Sequence, residues 1–240
     1  MRTLPGSIRR SALALCFTIP TVASAQSLAI FGSSEATGYG EGSLFLGSSL
    51  SASGPGWRPY VSVGAYTYRY QSALGHSSNS AIAPSAGLSY NMPQQSVQFG
   101  AGYVFQLNDA PRQTSSGAAF GSQNSPFVSG QYSFWGDGSK DVLLLGSYST
   151  KSKYLWTRGG ALGRVGGSTG KLFAGGEVGV QGSVATPSYY RISAGPAFSY
   201  RISDTFRIGG GAGVRFATGN NSPPATGYAR LDFLALPKLH

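Results

Sequence analysis

Strict alternation between apolar and polar positions is clearest near the carboxyl end of the chain, between residues 189 and 216. In the second of two runs there, the even positions are apolar or glycine: Phe206, Ile208, Gly210, Ala212, Val214 and Phe216. The odd positions carry only glycine or arginine: Arg207, Gly209, Gly211, Gly213 and Arg215. Successive side chains of a strand point to opposite faces, so this run predicts a β-strand with one apolar face.

The preceding run, residues 189–201, alternates in the same way, and the turn-like segment Ile202–Thr205 joins the two runs. Each apolar face begins and ends with an aromatic residue. A strand of ten residues is about 33 Å long, and a tilt of about 40° reduces its span to about 25 Å, the height of the apolar band on an outer-membrane barrel. The two runs therefore predict a lipid-facing hairpin with an aromatic at each membrane interface. These four aromatics are Tyr190, Tyr200, Phe206 and Phe216.

The same patterning predicts an all-β fold for the rest of the chain, a single antiparallel up-and-down transmembrane barrel of about twelve strands. The predicted strands are residues 28–36, 40–50, 57–70, 80–90, 95–106, 127–135, 141–149, 154–164, 171–181, 189–201, 206–216 and 227–235. Connectors after even-numbered strands are short, and the long ones, Leu107–Pro126 and Ala217–Thr226, fall on the other side. This parity fits a barrel with both ends in the periplasm. Pro196 lies inside a strand, where it predicts a bulge, and Val142–Leu145 is apolar on both faces and sets no register.

The first 25 residues have the pattern of a secretory signal peptide. Three arginines at positions 2, 9 and 10 precede the apolar run Ser11–Val22, and Ala23–Ala25 has the small residues of a cleavage site. A transmembrane helix needs about 20 residues, so this run with Pro20 inside is too short. A lipoprotein signal at Cys16 is disfavoured by the bulky Leu15 before it. Residues 26–240 are therefore expected to form one barrel domain in the bacterial outer membrane.

Composition narrows the classes of function. Charged residues make up 11% of the chain, against about 25% in ordinary soluble domains. The single cysteine lies in the signal peptide, and His76 and His240 are the two histidines, so we expect no disulfide, no metal site and no cofactor. The net charge is +10, but the basic residues are scattered and the chain is exported. We therefore expect no nucleic-acid partner and instead a basic lumen, or basic loops that face lipopolysaccharide. A secreted soluble β-sandwich is the alternative fold, but its polar faces would carry many Lys and Glu.

A hydrolase is the enzymatic alternative. The segment His76–Asn79 contains the H-x-S spacing that resembles the catalytic pair of lipid A deacylases. A serine nucleophile needs a nearby base and an acid that orients this base. The next acid along the chain is Asp109, beyond a predicted strand, and the expected position of His76 is a loop. The pattern therefore favours a chance pairing over a catalytic site, and we predict no catalytic residues.

The acids instead predict a charge network inside the barrel. Glu177 and Asp232 fall on inward faces, as do several arginines, and an unpaired buried charge is costly. Asp137, Asp141 and Asp204 are interpreted as turn residues. Together the inward charges predict a plugged, mildly basic lumen with a cleft over Gly209, Gly211 and Gly213. The predicted lumen network is Arg158, Glu177, Arg191, Arg207, Arg215, Arg230 and Asp232.

Short motifs resemble the cellulose biosynthesis protein S family. They are Tyr154–Arg158, Gly163-Arg164, Gly175–Gly179 and Gly56–Pro59, the last followed by the Gly- and Tyr-rich run Val61–Tyr70. Thr157 and Gly175 depart from the Ser and the Gly-Pro-Glu of the family pattern. The resemblance implies an outer-membrane component of bacterial cellulose production, without catalytic residues. Arg158 and Glu177 are the positions that match its motifs.

These observations leave three functions open. The leading one is a non-enzymatic barrel that supports secretion or anchoring of cellulose or another exopolysaccharide. A small diffusion pore or a structural barrel of the OmpA type is the second, and the lipid hydrolase is the third. The expected partners are outer-membrane lipid, lipopolysaccharide, and cellulose or its secretion machinery, with the oligomeric state open. Lumen tyrosines could stack on sugar rings, although tyrosine is equally common in the aromatic girdle of a barrel. The candidates are Tyr66, Tyr68 and Tyr70.

Overall fold

The computed structural model describes residues 26–38, 40–52, 54–72, 75–107, 124–184, 189–218 and 225–237. Within these residues the chain forms twelve strands, which pair antiparallel in sequence order into a barrel that closes where β12 meets β1. The strands are β1 (Gln26–Thr37), β2 (Gly42–Ala52), β3 (Gly56–Ser72), β4 (Gly75–Asn91), β5 (Gln95–Gln106), β6 (Ser125–Phe134), β7 (Lys140–Ser149), β8 (Tyr154–Val165), β9 (Leu172–Ser183), β10 (Tyr189–Ser203), β11 (Phe206–Ala217) and β12 (Ala225–Ala235). The predicted fold class is confirmed. In the part of the chain described, no helix has the length and apolar character to cross a membrane.

The strand boundaries agree with the prediction to within two residues, except in the β3–β4 hairpin. Strand β5 begins and ends as predicted, whereas β4 begins at Gly75, five residues before the predicted position. The ladder continues to the pair Ser72 and Gly75, so His76 lies in a strand and the prediction of a loop there is wrong. The predicted signal peptide lies outside the described residues.

The outer surface of the barrel is a belt of exposed apolar side chains. In the β10–β11 hairpin, the outward positions include Ile192, Phe198, Ile208 and Val214. The belt continues around the barrel through Leu44, Leu46, Val61, Leu88, Phe99, Phe105, Val128, Leu144, Val178 and Leu231. A soluble protein rarely exposes so large a contiguous apolar surface. Such a belt on a closed barrel instead matches the hydrocarbon core of the bacterial outer membrane.

The four predicted interface aromatics lie in the same hairpin but differ in exposure. Tyr200 and Phe216 are 41% and 51% exposed, and they lie toward opposite ends of the outward face, beside Ile208 and Ile192 respectively. Tyr190 and Phe206 are half-buried at the outer margins of the hairpin. Their placement at the membrane interfaces remains a prediction.

Prolines interrupt the ladder without forming bulges. The pairing of β10 with β11 omits Gly195 and Pro196 but keeps the same register on both sides of the gap, between Ala194 and Ala197. A proline lacks the N–H that this side of the ladder needs, and on its other side Pro196 remains in register with β9. The predicted bulge at Pro196 is therefore wrong. The register shift of β10 lies instead between Arg201 and Ser203.

Short turns close the end of the barrel at which β1 begins and β12 ends, here called the terminus end; the opposite end is the loop end. In the β6–β7 turn, Gly136 and Gly138 have φ of 53° and 84°, a region that favours glycine. The hydroxyl and the backbone N–H of Ser139 donate hydrogen bonds to Asp137, the latter at 2.9 Å. These bonds stabilise the carboxylate and hold the pKa of Asp137 below its ordinary value.

Candidate functional site: the charged lumen

The inner face of strands β8 to β12 carries charged residues between glycines and other small residues. Because side chains alternate, the outward apolar residues place every second residue of these strands in the lumen. Arg158, Glu177 and Arg230 lie on β8, β9 and β12 in this orientation. The structure brings all seven residues of the predicted lumen network into ion pairs.

Glu177 is the centre of the network. Its Oε2 lies 3.5 Å from Nε of Arg158, and it pairs with Nη2 of Arg230. Tyr228 donates a hydrogen bond from its hydroxyl to Oε1 of Glu177 at 3.0 Å. Glu177 and Arg230 are 7% and 6% exposed, so these are desolvated charges whose cost is offset only while every partner is present.

Asp232 links the same two arginines from the other side. Arg158 Nη2 lies 3.2 Å from Asp232 Oδ2, and Arg230 pairs with the same carboxylate. Strands β8 and β12 are separated by three others, a path of about 19 Å along a wall with about 4.8 Å between strands. Side chains of β8 and β12 that meet must therefore extend through the interior of the barrel. The ion pairs therefore constrict the lumen.

Three further pairs use acids outside the predicted network. Arg215 pairs with Glu35 of β1, and Arg191 pairs with Glu41 at the β1–β2 connection. Arg207 Nη1 lies 3.4 Å from Asp141 Oδ2. The interpretation of Asp141 as a turn residue is wrong, because it is the second residue of β7 and faces inward.

One of these missed acids, Glu35, had a signal in the sequence. Glu35 stands on the polar face of a predicted strand, so the period-2 alternation places it in the lumen. Asp141 begins a predicted strand that is apolar on both faces, so alternation sets no orientation for it. The pairing partners had no such signal, since they lie on strands far apart in sequence.

Glycine opposite the network makes room for the Glu177 carboxylate. A Cβ placed on Gly211 would overlap Oε1 of Glu177, and Gly195 of β10 lies directly beside Glu177 in the ladder. The small residues of β10 and β11 thus let Glu177 reach from β9 to β12. The predicted open cleft is wrong at Gly211, because the Glu177 carboxylate occupies that space.

Aromatic side chains cover the inner face of strands β1 to β3. The rings of Tyr66 and Tyr68 stack with centroids 6.0 Å apart and planes at 20°, and Phe31 and Phe45 lie 5.6 Å apart. Asn79, which is fully buried, donates to the hydroxyl of Tyr68 at 3.0 Å. The lumen therefore has an aromatic wall and a charged wall. The side chain of Tyr70 lies outside the described residues.

The hydrolase candidates do not form a described site. The backbone of His76 lies in β4, but its side chain and all of Asp109 are outside the described residues. Among the residues the structure does describe, no three His, Cys, Asp or Glu side chains come together as metal ligands.

The chain is similar to known proteins in structure and not in sequence. No family model matches the chain, and no curated protein matches it. An outer-membrane channel from Pseudomonas putida F1 is 10% identical and superposes with a TM-score of 0.58, covering 90% of this chain and 97% of the channel. The KdgM porin is 12% identical with a TM-score of 0.49, covering 88% and 99%. The outer membrane phospholipase A of Escherichia coli is 11% identical with a TM-score of 0.39, covering 91% and 93%.

Closed topology, the apolar belt and the structural similarity agree on the class of protein. The chain is a bacterial outer-membrane β-barrel, and the described strands make it a twelve-strand, up-and-down barrel. Its lumen is crossed by ion pairs between β8, β9 and β12.

Proposed function

We propose that this protein is a non-enzymatic outer-membrane barrel with a constricted, mildly basic lumen, and that it supports exopolysaccharide secretion or anchoring. The observation that carries the proposal is the ion-pair network of Arg158, Glu177, Arg230 and Asp232, which crosses the lumen. Twelve strands enclose more space than the eight whose interior side chains just fill. Ion pairs that extend through this space are expected to prevent free diffusion of solutes, which disfavours an open diffusion pore.

Conductance in planar bilayers tests the constriction. The unmodified protein is expected to show little or no conductance. Replacement of both Arg207 and Arg215 by Ala removes two lumen side chains and should raise it. Arg69→Ala, at an exposed position of β3, is the matched control and should leave conductance unchanged. A large, stable single-channel current from the unmodified protein would refute the constriction and favour the diffusion pore.

Cellulose is the exopolysaccharide we propose, on the strength of the resemblance to the cellulose biosynthesis protein S family and of the aromatic wall. Aromatic rings offer apolar faces on which sugar rings can stack, and Tyr66 and Tyr68 line the lumen. A deletion strain is expected to export or retain less cellulose. A copy with both tyrosines changed to Ala should fail to restore it, whereas Trp57→Ala, on the exposed outer face, should succeed. Unchanged cellulose in the deletion strain would exclude this role, and an altered lipid A profile would favour the hydrolase.

A further inference from the structure

A second group of arginines lies at the terminus end of the lumen, apart from the ion pairs around Glu177. Arg201 of β10 and Arg207 of β11 are direct partners across the ladder. Their neighbours Ile202 and Ile208 face outward, so both arginines face the lumen. Like charges directly opposite each other destabilise a pair of strands. The arrangement therefore needs a compensating negative charge.

Arg164 of β8 joins Arg201 over a buried aromatic ring. Phe173 is 1% exposed, and its centroid lies 5.5 Å from Cζ of Arg164 and 5.0 Å from Cζ of Arg201. Stacking on an aromatic face holds each guanidinium in place but satisfies none of its N–H groups. Phe173 thus contacts the guanidinium groups of two strands, β8 and β10.

The acids available do not balance the cluster. Asp141 pairs with Arg207 at 3.4 Å, and the other nearby acid, Asp204, is exposed in the β10–β11 turn. Arg164 donates to the backbone carbonyls of Gly138 and Ser168, which carry no net charge. Among the described residues, the side chain of Arg201 has no hydrogen-bond acceptor and no ion pair, and Nε of both Arg201 and Arg207 is buried without a partner.

We propose that Arg164, Arg201 and Arg207 form a binding site for an oxyanion, the phosphate or carboxylate group of a molecule that enters the lumen from the terminus end. Planar guanidinium groups present forked donors that match the oxygens of carboxylates and phosphates. An anion between the strands would accept from the unpartnered N–H groups and offset the repulsion between Arg201 and Arg207. Because all three side chains face the lumen, the anion reaches them from water and not from the lipid. The site does not depend on whether the lumen conducts, so it goes beyond the proposed function.

Calorimetric titration of the detergent-solubilised, folded full chain tests the site with two probes, inorganic phosphate and glucuronate. Saturable binding of either probe is expected, and the tighter one identifies the preferred group. Arg201→Gln removes the charge and the fork at the centre of the cluster, and it should weaken binding by about tenfold or more. Arg69→Gln, at an exposed position of β3, is the matched control and should bind as the unmodified chain does.

Arg201→Lys separates a specific site from general attraction to a basic lumen. It keeps the charge but loses the fork, so its binding should be weakened toward that of Arg201→Gln. Heat-modifiable migration on gels establishes beforehand that each variant is folded. If the unmodified chain binds neither probe, or if all four proteins bind equally, the proposed site is overturned. Conductance recorded on the same preparations reports on the lumen constriction separately, so failure of one proposal is distinguishable from failure of the other.

Discussion

Arg230 of β12 and Glu177 of β9 form an ion pair across the two strands that separate them, with each side chain 5% exposed. No local sequence pattern predicts this ion pair, since 52 residues lie between its members. It exists because β10 and β11 present small residues to the lumen at the point of crossing. This contact connects β9 to β12, the strand that pairs with β1 and closes the barrel.

Loss of the central carboxylate should destabilise the barrel. Glu177→Gln keeps the shape of the side chain but leaves Arg158 and Arg230 with Asp232 as their shared acid. Removing one member of a buried ion-pair network typically costs about 3 kcal/mol or more, and the free energy of unfolding should fall by about that amount. Urea unfolding in detergent, followed by tryptophan fluorescence, measures it. Asp204→Asn in the exposed turn is the control, and an equal loss in both variants would contradict a structural role for Glu177.

Gly211→Ala should destabilise the barrel, because the Glu177 carboxylate that it would displace is held by Arg158, Arg230 and Tyr228. A Cβ there would overlap the Glu177 carboxylate, so Gly211→Ala should cost about 2 kcal/mol of unfolding free energy through overpacking. Gly163→Ala is the matched control on β8, because a Cβ at Gly163 meets nothing within 4 Å. A double-mutant cycle makes the test specific: in a Glu177→Ala background the penalty at Gly211 should largely disappear. A penalty that persists there would locate the strain elsewhere.

The faces of β11 and β10 should be distinguishable by chemical labelling. Cysteines introduced at Ile208 or Val214, both outward, should be labelled by lipid-soluble thiol reagents. A cysteine at Ser193, which lies beside Arg215 on the inner face, should not be. The single native cysteine is in the predicted signal peptide, so the background is low. Labelling of positions 208 and 214 from the aqueous phase would count against the membrane placement of this hairpin.

Current through an opened lumen should be carried by anions. With Arg207 and Arg215 replaced by Ala, Asp141 and Glu35 lose their partners. Three inward arginines, Arg58, Arg164 and Arg201, keep their charges without an ion pair among the described residues, so unpaired cations still outnumber the two freed acids. An excess of unpaired cations favours chloride over potassium. Reversal potentials under a salt gradient measure this preference, which should shrink when Arg164→Glu is added. Cation selectivity in the double variant would mean that other charges control the opened lumen.

Much of this architecture follows from local sequence patterns and could therefore be predicted from the sequence. The alternation in Phe206–Phe216 places Ile208 and Val214 outside and Arg207 and Arg215 inside, whatever their neighbours are. Turn-rich segments such as Ile202–Thr205 mark strand ends in the same way. Where local signals were weak or conflicting, the predictions failed: the β3–β4 hairpin is longer than its alternation indicated, and Pro196 leaves a gap in the ladder instead of a bulge.

By itself, then, the sequence determined the strands, most of their faces and the side on which most charges lie, because the period of two acts between adjacent residues. Tertiary structure alone decided which charges meet. The apolar run Val142–Leu145 is compatible with either face, and it takes its orientation from pairing with β6 and β8. Asp141 thereby turns inward to Arg207, four strands away. Closure of β12 on β1 fixes the remaining distances, since the register of every strand must be satisfied at once before Glu177 can reach Arg230.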